Sequence, residues 1–185
     1  MRIEVPRKLF SVDDYYRMAE VGILGPEDRV ELIDGEIIWM SPIGDRHALC
    51  VNIANELFVL AFNRKAIVSV QNPIRLNNYS EPQPDIVLRK THPERQNKHP
   101  RPEDTILVVE VSDTTFKYDS TFKLPRYAKA GVPEVWIEDL QRNRLLVYRN
   151  PSDNNYLNSL TLGRNDSVFV QAFPDSIFAV DKLLG

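Results

Sequence analysis

Apolar and polar residues change their spacing several times along the chain, and each change predicts a new element. Ser11, with Asp14 three residues on, has the character of a helix N-cap with an acidic first turn. Tyr15, Met18 and Ala19 follow, and Gly22 and Gly25-Pro26 close the segment. Val30 to Ile33 and Glu36 to Met40 flank Asp34-Gly35, a pair that tolerates the positive φ of a two-residue hairpin turn. Over residues 45–64, Cys50, Ile53, Ala54, Leu57, Phe58 and Ala61 share one stripe, which predicts a helix lying on a sheet. Ala66 to Val70, Ile74 to Leu76 and Asp85 to Leu88 read as short strands separated by Asn, Pro and Ser. Ile106 to Val111, ILVVEV, is nearly all apolar, as in a strand covered on both faces, yet it carries one carboxylate, Glu110.

A second helix is predicted over residues 117–130, capped by Gly131 with Pro133 beyond it. Pro125 lies inside this span, and an interior proline costs up to about 3 kcal/mol, so a kink or a later start is expected. Val135 to Glu138 and Leu145 to Arg149 read as strands joined near residues 141–143, followed by weaker runs at Ser159 to Leu162 and Val168 to Gln171. The pattern is that of an α/β domain, a mixed β-sheet flanked by helices with an N-terminal helix and hairpin extension. Trp39 and Trp136, each in a β run beside apolar neighbours, are expected to be core or interface aromatics rather than base-stacking platforms.

Composition narrows the picture. A length of 185 residues suits a single domain over residues 1–185 with one developed core. The single cysteine, Cys50, closes no intramolecular disulfide, and no Cys/His cluster has zinc-ligand spacing. The first ten residues lack an apolar leader core, and the longest apolar run, Leu57 to Phe62, is too short for a bilayer, so the expectation is a cytoplasmic protein with no membrane contact. A net charge of -3 argues against tight DNA binding by bulk electrostatics. One local basic stretch, Arg89, Lys90, Arg95, Lys98 and Arg101 with His92 and His99, is opposed only by Glu94; it reads either as a phosphate-facing loop or as a solvated loop.

Glu110 is the residue most in need of an explanation, because a carboxylate buried beside an apolar strand costs several kcal/mol, roughly, unless a cation or several donors compensate it. If Asp85 begins a neighbouring strand, the two side chains can converge on one point. Two hard oxygen ligands plus water suit Mg²⁺, which takes one or two carboxylates and leaves room for substrate phosphate. Lys123 is a candidate cation on the following helix, where Asp119, Lys123 and Tyr127 share i, i+4 spacing; its plainer reading is a helix-surface pair with Asp119. His47, near the start of the long helix, reads as a phosphate-orienting group or, more plainly, as a surface or capping residue. No nucleotide-binding glycine loop, GxSxG or HExxH occurs, which removes P-loop NTPases, α/β-hydrolases and zincins.

Four segments, ELIDGEIIWMSP (31–42), QPDIVL (83–88), ILVVEVSD (106–113) and KLPRYAKAGVPEVWIED (123–139), together resemble the Uma family of restriction endonucleases, within the PD-(D/E)XK nuclease superfamily. The resemblance spans roughly residues 30–149. It implies a restriction-endonuclease-like fold and a Mg²⁺-dependent endonuclease acting on DNA, with Mn²⁺ able to substitute. Asp85 and Glu110 would bind metal, and Lys123 would be catalytic. The superfamily lysine expected at position 112 is replaced by Ser112, and the family moves it to the following helix, where Lys123 matches. Glu31 matches an acidic position that completes the metal site or orients water. The family contains dimers, so a homodimer is compatible. Ser112 and the acidic balance leave a second reading open, a nuclease-fold protein that binds nucleic acid or a protein without cutting. A third reading makes Glu110 and Lys123 a purely structural ion pair.

Overall fold

The computed structural model describes residues 6–91 and 98–185; His92, Glu94 and Arg95 of the basic stretch lie outside them. Helix α1, Val12–Glu20, starts as expected: the Asp14 N–H donates to the Ser11 hydroxyl at 3.1 Å and the Ser11 N–H donates to the Asp14 carboxylate at 2.9 Å. Strands β1, Val30–Ile33, and β2, Glu36–Trp39, form the hairpin, with Ile33 opposite Glu36. Asp34 and Gly35 both have positive φ, 52° and 77°, as this tight turn requires. Gly35 has a second constraint, since a Cβ there would meet Leu9 Cβ at 2.6 Å.

Six strands form the central sheet among the described residues: β3 (Ile67–Val70), β4 (Ile86–Arg89), β5 (Thr105–Ser112), β6 (Glu134–Asp139), β7 (Arg144–Ser152) and β8 (Asn155–Gly163), in that spatial order. β5 and β6 run parallel, and every other neighbouring pair is antiparallel. The parallel pair needs a crossover, made by α3 (Phe116–Tyr118), a π turn (Asp119–Lys123) and α4 (Leu124–Ala130). The long helix α2, Asp45–Phe62, matches the predicted stripe.

Period-two alternation sorts the central strands between the helices. Ile86, Leu88, Leu107, Val109 and Trp136 pack into one cluster with Cys50, Ala54, Phe58 and Phe62 of α2. Val87, Val108, Val135 and Ile137 point the other way and pack with Leu124, Tyr127 and Ala128 of α4. All eight residues of β5 are buried, as a strand covered on both faces demands.

Two expectations are corrected and one is met. Ile74 to Leu76 does not join a strand ladder; the N–H of Ile74 donates to the Pro82 carbonyl at 2.9 Å and that of Leu76 to Ser80 at 3.0 Å, a local loop pairing. Pro125 has the later start expected of it, because the π turn ends just before α4 and leaves the proline in that helix's first turn. The tail adds to β9 (Ser167–Val170) a paired strand β10 (Phe173–Ala179) and a short helix α5 (Val180–Leu183), whose Phe178, Val180 and Leu183 extend the α2 cluster. No described helix is long and apolar enough to cross a membrane.

Candidate active site

The residue before β4, Asp85, projects where β4 meets β5. Its carboxylate accepts from the Val111 N–H at 2.8 Å and lies 3.0 Å from His47 Nε2 in the first turn of α2. One position along β5 from Val111, Glu110 faces α4 and is 3% exposed. It accepts from the Tyr127 hydroxyl at 2.5 Å and lies 3.3 Å from Lys123 Nζ. Glu31 of β1, equally buried, lies 3.2 Å from the same ammonium, and accepts from the Tyr118 hydroxyl at 2.9 Å and the Gln83 N–H at 3.0 Å. Lys123 therefore bridges the hairpin and the sheet. Glu31, Glu110, Lys123, Tyr118, His47 and Asp85 line one cleft of about 710 Å³.

All four sequence-predicted site residues, Glu31, Asp85, Glu110 and Lys123, thus meet in one place. The surface pairing of Asp119 with Lys123 is overturned. Both side chains are buried, and Asp119 accepts from Ser112 Oγ at 2.7 Å and Thr115 Oγ1 at 2.6 Å. Ser112 holds the π turn that presents Lys123, so its place in the strand is structural. Glu31 of β1 is likewise buried, 3% exposed. Trp39 is not in the core: it is 71% exposed at the rim of the cleft. His47 and Tyr118 are the residues the sequence left underdetermined. His47 neither caps nor faces solvent freely, and Tyr118 lay at helical spacing from nothing that marked it.

The electrostatics of the cluster follow from burial. Burial pushes Glu110 well above the usual glutamate value, with Lys123 pulling it back and Asp119 and Asp85 adding to the rise. Burial also works to strip the proton from Lys123, yet Glu110, Glu31 and Asp119 more than offset it and hold the ammonium charged. The hydrogen bond to Asp85 raises His47 above 6.5 against the opposing effect of burial. Glu31 and Glu110 flank the single ammonium of Lys123, and Asp85 and Asp119 line the same cleft, so carboxyl groups outnumber Lys123 around this point. Among the described residues no three His, Cys, Asp or Glu side chains gather closely enough to hold a metal ion by themselves. A pair of hard oxygens completed by water and phosphate is the arrangement such a site fits.

The α2 side of the same sheet end carries a different glutamate. Glu138, two residues beyond Trp136 on β6, is 0% exposed, and neither carboxylate oxygen has a hydrogen-bond partner among the described residues. Burial first, and then the charge of Asp85, push it well above the ordinary value of 4.5. Its strand neighbours are compensated: Arg149 reaches Glu134 at 2.8 Å and Arg144 reaches Asp139 at 2.9 Å.

The family model named Uma2, described as "Putative restriction endonuclease", matches residues 12–181. The chain belongs to the Uma2 family. No curated protein matches it. Among solved structures it is similar to a protein from Anabaena variabilis described as a putative nuclease, at 16% identity and a TM-score of 0.73, covering 95% of this chain and 97% of that one. The similarity in architecture concerns the fold, and the Uma2 match places the chain in a family described as "Putative restriction endonuclease".

Proposed function

We propose that this Uma2 protein is a metal-dependent endonuclease that hydrolyses DNA phosphodiester bonds. The observation that carries the reading is Lys123 held between Glu31 and Glu110 beside Asp85 in one open cleft. Asp85 and Glu110 would hold the ion. A bound Mg²⁺ or Mn²⁺ supplies charge neutralisation at the phosphoryl oxygens and a bound water of lowered pKa. The protein does the positioning. Tyr127 fixes Glu110, His47 and the Val111 N–H fix Asp85, and Tyr118 and the Gln83 N–H fix Glu31, which orients the attacking water. Lys123, kept charged by its carboxylates, offers a preorganised cation to the phosphoryl oxygens as negative charge grows there.

The test is plasmid cleavage with Mg²⁺ or Mn²⁺ by purified wild-type, Asp85→Ala and Lys123→Ala proteins. The expected outcome is cleavage by wild type, loss by at least about a thousandfold in Asp85→Ala, and slowing by about a hundredfold or more in Lys123→Ala, as for a lost charge-stabilising group. Undiminished cleavage by Asp85→Ala would overturn the assignment. Calorimetry of Mn²⁺ binding to the same variants separates the roles, because Lys123→Ala retains the ion and Asp85→Ala loses it.

A further inference from the structure

A second cavity, of about 590 Å³, is lined among the described residues by four cations, Arg75, Arg89, Lys98 and Arg101, and one carboxylate, Glu81, with Arg75 also reaching Asp13 at 3.4 Å. Glu81 is 3% exposed and already accepts from the Tyr16 hydroxyl, whose ring stacks on His99 at 6.1 Å. Lys98 and Arg101 make no ion pair among the described residues. Arg89 Nε is buried there with no acceptor among the described residues. A donor fixed in that state is poised for an anion that arrives from outside.

The cavity adjoins the cleft. Gln71 lines the cleft and its neighbour Asn72 lines the cavity; Gln83 and Glu81 divide the same way. Asp85, just before β4, and Arg89 at its end stand four residues apart, about 13 Å in extended chain, a distance that a single nucleic-acid strand can span. The cleft itself is rich in carboxylates and the protein carries a net charge of -3, so a polyanion needs a local cationic hold nearby.

We propose that this basic cavity is a phosphate-binding subsite that grips the backbone of a nucleic-acid strand running from the cleft. The choice of nucleic acid as ligand rests on the nuclease reading; the anion site itself rests on the four cations and the unsatisfied Arg89 donor. The sequence exposed Arg89, Lys98 and Arg101 as a cluster, and the fold adds Arg75 from the β3–β4 connection.

The decisive experiment is fluorescence anisotropy with a labelled 20-nucleotide DNA, single-stranded and duplex, in EDTA over a range of salt. The proteins are the full-length wild type, Arg75→Gln/Arg101→Gln, Lys98→Gln and Asp85→Asn, each checked for an unchanged melting curve. The expected result is a tenfold or greater loss of affinity in the double variant, with the slope of log K against log salt reduced by about 1 for each phosphate contact removed. Asp85→Asn should bind at least as well as wild type while failing to cleave. Wild-type affinity and slope in the double variant, or no binding of DNA by wild type, would overturn the subsite. Calorimetric binding of inorganic phosphate that the double variant loses and that excess DNA does not inhibit would also overturn it, in favour of a free-phosphate site. Intact DNA binding and an intact variant effect in a wild type that never cleaves would sink the nuclease reading and leave the subsite standing.

Discussion

Glu110 and Glu138 stand on adjacent parallel strands at one end of the sheet, opposite Ile137 and Val111 respectively, and are buried to nearly the same degree, 3% and 0% exposed. Glu110 faces α4, where Lys123 and Tyr127 reach its carboxylate and a cleft opens beside it. Glu138 faces α2, where no donor reaches either oxygen. Burial raises both. The difference lies in what each can do about it. For Glu110 the ammonium of Lys123 opposes that rise and an open cleft adjoins the carboxyl group, whereas for Glu138 nothing opposes it and the charge of Asp85 adds to it. A buried carboxylate alone therefore does not mark a site; converging donors and an opening do.

The contrast can be broken in order of expected size. Lys123→Met leaves Glu31 and Glu110 without their shared cation and should destabilise the protein by about 3–5 kcal/mol at pH 8, read by urea unfolding, with the loss shrinking in acid as the carboxylates take up protons. Tyr127→Phe removes one charge-assisted hydrogen bond from Glu110 and should cost about 1.5–3 kcal/mol in the same assay. Glu138→Met should act in the opposite direction and raise stability by about 1–3 kcal/mol at pH 8, because it removes an unsatisfied buried group. Arg126→Gln, which breaks the 2.6 Å pair with the 58% exposed Asp34, should change stability by less than about 1 kcal/mol and calibrates how little a solvated pair contributes.

Glu138 also sharpens the comparison through pH. Its folded value lies above 4.5, so the folded state holds more protons than the unfolded chain from pH 4.5 upward. The stability it contributes is full below 4.5 and is lost as pH rises through its folded value, at up to about 1.4 kcal/mol per pH unit. Thermal melts from pH 4.5 to 8 should show the advantage of Glu138→Met growing across that window. A gain that stays constant with pH would show Glu138 ionised throughout.

Much of the site was legible because strong local patterns surrounded its residues. ILVVEV is so apolar that Glu110 stands out, and Asp34-Gly35 sets the hairpin that brings Glu31 to the sheet. Lys123 was legible as a candidate by resemblance, since helical spacing alone favoured a pair with Asp119. The partner of His47 was not legible: Asp85 lies 38 residues away, and only the packing of α2 against the β4 end joins them. Trp39 misled because a β run with apolar neighbours says nothing about which face is covered, and the outer face of this two-stranded hairpin is open. β10 was hidden by Pro174 and Asp175, where the pairing with β9 shifts register between Phe173 and Ile177. Glu138 looked like any polar end of a strand, and its burial depends on α2 lying over it.

A π turn amounts to one surplus residue in a helix. Excising one residue from Asp119–Lys123 would let the crossover wind as an uninterrupted α-helix, and everything beyond the deletion would rotate by about 100° relative to what precedes it. The ammonium and the phenol of Tyr127 could then no longer both reach Glu110 while α4 kept its seat on the sheet.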